Sequence, residues 1–137
     1  MKINYLAVVI CGILYWLLGA VWYGALFGKR WMALEGVTMA QGQSQKGVAA
    51  MYLVSFLLGL LMAYVMAHVC AWRRANTASL GAAIGVVVWI GFVAPVTFTN
   101  SMYEGRPNML WAINSFYPLV GLWLMGIVLG AWQKKSA

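Results

Sequence analysis

Four long runs without a charged residue divide the chain: 3–28, 47–72, 75–103 and 107–133, of 26, 26, 29 and 27 residues. Leu, Val, Ile, Met and aromatic residues dominate each run. A helix needs roughly 20 apolar residues to cross a hydrocarbon core about 30 Å thick, so every run is long enough to span. All Lys, Arg and Glu residues fall between or beyond the runs. This pattern predicts an all-α fold, an integral membrane four-helix bundle. It forms a single transmembrane domain over 1–137, with spans at approximately 4–28, 48–72, 79–100 and 109–132.

The segments between the runs refine this layout. Lys29, Arg30 and Trp31 mark a membrane boundary, with cations among headgroups and an indole at the interface. Residues 32–46 form the one substantial loop. Its second half, 40–46, is polar, and Trp31 to Glu35 is suited to an amphipathic turn on the membrane. Ala75 to Thr77 makes a tight turn, so the second and third spans are expected to be antiparallel neighbours, with Thr77 or Ser79 as N-cap. Residues 101–108 form the third loop, and Pro107 suits the start of the last span. Lys2 before an apolar stretch looks like the opening of a signal peptide. Leu18-Gly19-Ala20 is a poor cleavage site, however, and the apolar stretch runs on to Phe27, so a span is expected.

Composition agrees with the pattern. The chain is 64% hydrophobic and 8% charged, against about 25% charged for a soluble domain. Nine Lys and Arg face two Glu and no Asp. No basic run exceeds two residues, so the excess reads as headgroup contact and no nucleic acid partner is expected. Lys2, Arg73, Arg74, Lys134 and Lys135 lie on one side; Lys29, Arg30, Lys46 and Arg106 lie on the other. This bias favours cytoplasmic termini. Cys11 and Cys70 fall on one side of the membrane, where a disulfide and two buried free thiols are both open.

Spans in lipid associate through close packing at small residues. Such rows occur at Ala20, Gly24 and Gly28; at Gly59 and Ala63, continuing to Ala67 and Ala71; at Gly81 and Gly85; and at Gly126 and Gly130. They serve either packing within the bundle or self-association, and a homo-oligomer is expected. Trp22-Tyr23-Gly24 and Trp89-Ile90-Gly91 echo one another, as do Gly59-Leu60 and Gly121-Leu122, in the manner of a faded duplication.

Polar residues inside the spans gather at one end. Thr97, Thr99 and Asn100 close the third span; Asn114, Ser115 and Tyr117 open the fourth. Between them lie Tyr103 and a loop ion pair of Glu104 with Arg106. An unsatisfied amide in hydrocarbon costs several kcal/mol, so Asn100 and Asn114 must face protein or water. Pro95 and Pro118 interrupt both helices beside this cluster, which suggests a vestibule. Its ligand-binding lining would be Thr97, Asn100, Tyr103, Asn114 and Tyr117, with Trp22 and Tyr23 at its wall. Interhelical hydrogen bonds that fix the bundle are the alternative role for both asparagines. Tyr15, Gly19 and Trp22 share one face of the first span, for packing or for a flat apolar ligand.

No Ser/His/Asp set, phosphate loop, metal-ligand spacing or cofactor motif is visible, so neither catalysis nor a cofactor or metal is expected. No charge lies within a span, so the usual parts of an ion-coupled pump are missing. Trp22-Tyr23-Gly24-Ala25-Leu26-Phe27-Gly28-Lys29-Arg30-Trp31 resembles the opening motif of a bacterial family of small four-span membrane proteins, domain of unknown function 1761. Trp89-Ile90-Gly91-Phe92, Asn100, Tyr103, Glu104, Arg106, Asn114 and Tyr117 extend the resemblance. It implies a four-helix fold in the bacterial inner membrane and supplies no activity. The expected function is binding or passive passage of a lipid or small amphiphilic solute; the alternative is an assembly subunit of a larger membrane complex.

Overall fold

The computed structural model describes residues 3–36 and 47–132. The polar stretch 40–46 lies outside them, as do Lys2, Lys46, Lys134 and Lys135. Helix α1 is Tyr5–Ala20, capped by the Asn4 side chain, which accepts from the Ala7 amide at 3.2 Å. It continues as a π-helical segment, Val21–Leu26. The chain then turns at Phe27, whose amide donates to the Trp22 carbonyl at 2.8 Å, and enters α2, Gly28–Glu35. Helix α3 is Val48–Trp72. After a short turn, the Thr77 hydroxyl accepts from the Leu80 amide and starts α4, Ala78–Val88. A second π-helical segment, Trp89–Val93, leads into α5, Ala94–Glu104. Helix α6 is Asn108–Ala131 and contains Pro118.

Four spans result: Tyr5–Leu26, Ala49–Trp72, Ala78–Glu104 and Asn108–Ala131. At 1.5 Å per residue, even the first, of 22 residues, reaches about 33 Å, enough to cross a bilayer core. The third span exceeds its expected end at Asn100. Polarity does not stop it, because Asn100, Ser101 and Glu104 face a protein cleft rather than lipid. It stops at Gly105, whose φ of 66° is the left-handed geometry that closes a helix. The third loop is thus reduced to Gly105–Pro107. Pro95 lacks the amide that would bond to the Gly91 carbonyl, and the widened turn just before it absorbs that mismatch.

The closest helix pair is α4 with α6. A methyl group placed on Gly81 would strike the Gly126 carbonyl, and one on Gly126 would strike the Gly81 carbonyl. Gly85 lies against the Leu122 carbonyl and Gly130 against that of Thr77. Both glycine rows are therefore used within one chain, backbone on backbone. On α3, Ala63 is buried and Gly59 meets Tyr15 of α1, at 3.2 Å from an added methyl. Tyr15 also covers Gly121 of α6.

Among the described residues, the row Ala20, Gly24 and Gly28 joins no two spans. Ala20 and Gly24 are exposed, and Gly28 meets only the Tyr23 carbonyl of its own segment. The row is broken at Phe27, where the chain leaves the first span, so Gly28 falls in α2 and not beside Ala20 and Gly24.

The tightest core lies toward the chain termini. It includes Ala7, Cys11, Ala67, Cys70, Ile84, Leu122, Met125 and Leu129. Cys11 and Cys70 are buried there as free thiols. Outward, large apolar residues stay exposed around the bundle, Leu6, Leu53, Leu58 and Phe92 among them. That is the surface a multi-pass protein offers to acyl chains.

Candidate functional site

The half of the bundle beyond the core is not packed shut. A cleft of about 320 Å³ opens on the side that carries α2. Its α5 wall presents Thr97, Asn100, Ser101 and Glu104, at i, i+3, i+4 and i+7, one face of a helix. The α6 floor presents Leu110, Trp111, Asn114 and Ser115. Glu35, the last residue of α2, and Arg106 complete the mouth. From Asn108 to Ser115 the floor descends about 10 Å at 1.5 Å per residue, so charge stays at the headgroup level and neutral polar groups lie below it.

Arg106 ties the mouth together. Its Nη1 donates to Glu35 Oε2, and its Nε lies 3.4 Å from Glu104 Oε2. The expected Glu104–Arg106 pair is present, but Glu35 is the nearer partner. Its hydrogen bond, and then its charge, hold the Arg106 pKa above the ordinary guanidinium value, so the cation persists at any working pH.

Below the mouth, Thr97 is a hub. Its hydroxyl donates to the Val93 carbonyl at 2.7 Å and accepts from Trp111 Nε1 at 3.0 Å. Ser115 Oγ lies 3.0 Å from the same oxygen. Since the threonine proton is committed to Val93, the serine must be the donor. Three successive residues of α6 then receive bonds from the flanking spans. Trp22 Nε1 donates to the Ile113 carbonyl at 2.8 Å, the Tyr23 hydroxyl to Asn114 Oδ1 at 2.9 Å, and Trp89 Nε1 to the Ser115 carbonyl at 2.7 Å. This turn lies just before Pro118, whose missing amide leaves the Asn114 carbonyl without its ladder partner. The two echoing Trp-x-Gly motifs are thus the two π-helical segments, and their indoles grip α6 on either side of Asn114.

Of the residues expected to line a vestibule, Thr97, Asn100 and Asn114 do so. Tyr23 orients Asn114 from behind: with Oδ1 taken by the tyrosine, the amide NH2 is left for the cleft. Trp22 supports the floor by donating its indole N–H to the Ile113 carbonyl and does not line the cleft. Tyr117 lies elsewhere; its hydroxyl donates to the Tyr15 carbonyl at 2.7 Å and its ring stacks on Tyr15 with centroids 4.4 Å apart. The face shared by Tyr15, Gly19 and Trp22 is filled by Tyr117, with Gly19 directly beneath its hydroxyl.

Tyr103 is 88% exposed. It stands roughly a third of a turn round α5 from the lining face and takes no part in the cleft. Glu35, Ser101, Leu110, Trp111 and Ser115 line the cleft without having been expected there. Glu35 reads from sequence only as the end of the short stretch after the first span. The i, i+3, i+4, i+7 spacing of Thr97, Asn100, Ser101 and Glu104 is the signal that could have found the wall.

A second recess, between α1 and α3, is lined by Ile13, Trp16, Leu17, Tyr52, Leu53 and Phe56. It offers almost no polar surface and is suited to acyl chains. No curated protein and no solved structure matches the chain. The model of the family described as "Protein of unknown function (DUF1761)" matches residues 6–130, nearly all of the four-span unit, and the chain belongs to that family.

Proposed function

We propose that this protein is a non-enzymatic membrane binding protein whose cleft between α5, α6 and the end of α2 takes up a small amphiphilic solute. The observation that carries the reading is the open cleft itself, with its graded lining. A volume of about 320 Å³ lies at the lower end of the range for small-molecule sites. Unused hydrogen-bonding capacity faces it from Asn100 and from the amide NH2 of Asn114. Binding is favoured over passage, because the opposite half of the bundle is closed by the Gly81–Gly126 backbone contact and by Ile84, Leu122, Met125 and Leu129.

Native mass spectrometry of the protein extracted from its own membranes in mild detergent tests this. Wild type is expected to carry a non-covalent adduct of small-molecule or lipid mass. The double variant Asn100→Ala/Asn114→Ala is expected to lose most of it at normal expression. Bare wild-type protein, or an adduct indifferent to the double variant, would sink the proposal.

A second reading, self-association, is favoured by one observation. Ala20 and Gly24 form a small-residue edge that the chain leaves open, and nothing lies within 4 Å of a methyl group built on Gly24. Such an edge lets a second helix approach closely. Chemical crosslinking in native membranes is expected to trap dimers, and Gly24→Ile is expected to reduce them severalfold. Monomer alone in the wild type would remove this reading.

A further inference from the structure

The chain carries only two carboxylates, against nine basic residues. Both of them, Glu35 on α2 and Glu104 on α5, line the cleft. Among the described residues, one cation, Arg106, lines the cleft with them, so this lining carries one negative charge in excess within a chain of net charge +7. Building on the cleft as a binding site, we propose that its ligand class is an amphiphile bearing an ammonium group.

Three features beyond the carboxylates point the same way. First, Arg106 is engaged by both acids and is not presented as a free anion receptor. Glu104 has only the 3.4 Å contact and is 61% exposed at its side chain, so it is the acceptor with capacity to spare.

Second, an indole lines the same cavity. Trp111 is locked by its Nε1 bond to Thr97 and by edge contact with Phe98 at 5.1 Å between centroids. A fixed aromatic face beside carboxylates attracts ammonium groups through the ring quadrupole. Third, the depth profile suits an amphiphile. The head meets charge at the mouth, a carbonyl or hydroxyl next to it reaches the Asn114 NH2, and the apolar part of the molecule meets Leu110 and Trp111 of the floor. An ammonium on a membrane aminolipid and one on a free hydrophobic amine share this chemistry.

The test uses the full-length protein in neutral maltoside micelles, with dodecyltrimethylammonium as probe and dodecyl sulfate as its anionic counterpart. Saturable binding of one ammonium probe per chain is expected, with dodecyl sulfate much weaker. Glu104→Gln leaves the Glu35–Arg106 pair in place and sits at an exposed helix end, so it is expected to fold. It should weaken the probe about tenfold, the equivalent of one charge-assisted contact.

Arg106→Gln has the opposite expected sign. It removes the resident cation and should tighten the probe severalfold. Displacement of the probe by phosphatidylethanolamine but not by phosphatidylglycerol would support a lipid headgroup as the source. Resistance to both lipids, with the Glu104 and Arg106 effects intact, would support a free amine. Loss of binding in Arg106→Gln, or indifference to Glu104→Gln, overturns the ammonium assignment. If the natural adduct still depends on Asn100 and Asn114 in that event, the cleft stands and only its charge preference is wrong. If no probe and no natural adduct binds, both proposals fall.

Discussion

Gly81→Val is expected to abolish the folded bundle, at a cost of about 3 kcal/mol or more. Large side chains in a core can often shift to admit an extra methyl group. Here the neighbour is the Gly126 carbonyl, which belongs to helix backbone and cannot move alone. The two helices would have to part along their length, releasing Gly85 from Leu122 and Gly130 from Thr77. Lipid offers little compensation, because helix association in a bilayer depends on such close approach rather than on hydrophobic burial. The measurement is the unfolding midpoint in mild detergent, with monodispersity on size exclusion as a second readout. Gly91→Ala is the control: nothing lies within 4 Å of the added methyl, and the midpoint should hardly change. A Gly81→Val protein that melts like wild type would show that α4 and α6 do not meet through their backbones.

Much of this fold is legible in the sequence, for a physical reason. Hydrocarbon tolerates neither charge nor unpaired backbone, so runs of uncharged residues about 26 long admit one conformation, the spanning helix. The Thr77 cap and the Gly81/Gly85 and Gly126/Gly130 rows are equally local. What sequence could not give is which row meets which. Ala20, Gly24 and Gly28 have the same spacing as Gly81 and Gly85, yet the first row is cut by the turn at Phe27, which puts Gly28 in a different helix. Proline positions marked where the ladder breaks, but not that widened turns at Val21–Leu26 and Trp89–Val93 would aim two indoles at one stretch of α6.

The cleft was half legible for the same reason. Polar residues within spans must face protein or water, which singled out Thr97, Asn100 and Asn114. Helix phase then separated them from Tyr103 and Tyr117, which share their sequence neighbourhood but not their face. Glu35 was beyond reach, since nothing local tells a loop carboxylate that it will end beside an arginine brought from the far side of the chain. Its arrival changes the chemistry of the site, from neutral hydrogen bonding alone to hydrogen bonding under an acidic mouth.

The second large effect is expected at Trp89. This side chain is nearly buried, stacks on Phe116 at 5.6 Å between centroids, and donates its indole N–H to the Ser115 carbonyl. It joins the third span to the weak turn before Pro118, where α6 has lost a ladder bond. Trp89→Ala removes a large ring from a closed site and should cost about 3–5 kcal/mol. Trp89→Phe removes the donor and the five-membered part of the ring while keeping a phenyl ring in place, at about 1–3 kcal/mol. The functional consequence follows from position. Trp89 opens the π-helical segment between α4 and α5 and holds Ser115, which in turn meets Thr97, so its loss lets the α5 wall drift from the α6 floor. Trp89→Ala is therefore expected to lose the cleft's bound adduct as well as stability, while Trp89→Phe retains most of both. Unfolding titrations and native mass spectra on the two variants separate the contributions. If Trp89→Phe proves as damaging as Trp89→Ala, the hydrogen bond to Ser115 outweighs the packing of the ring. If neither variant moves the melting midpoint, the proline-weakened turn needs no support from the third span, and the cleft must be held by the ion pairs at its mouth.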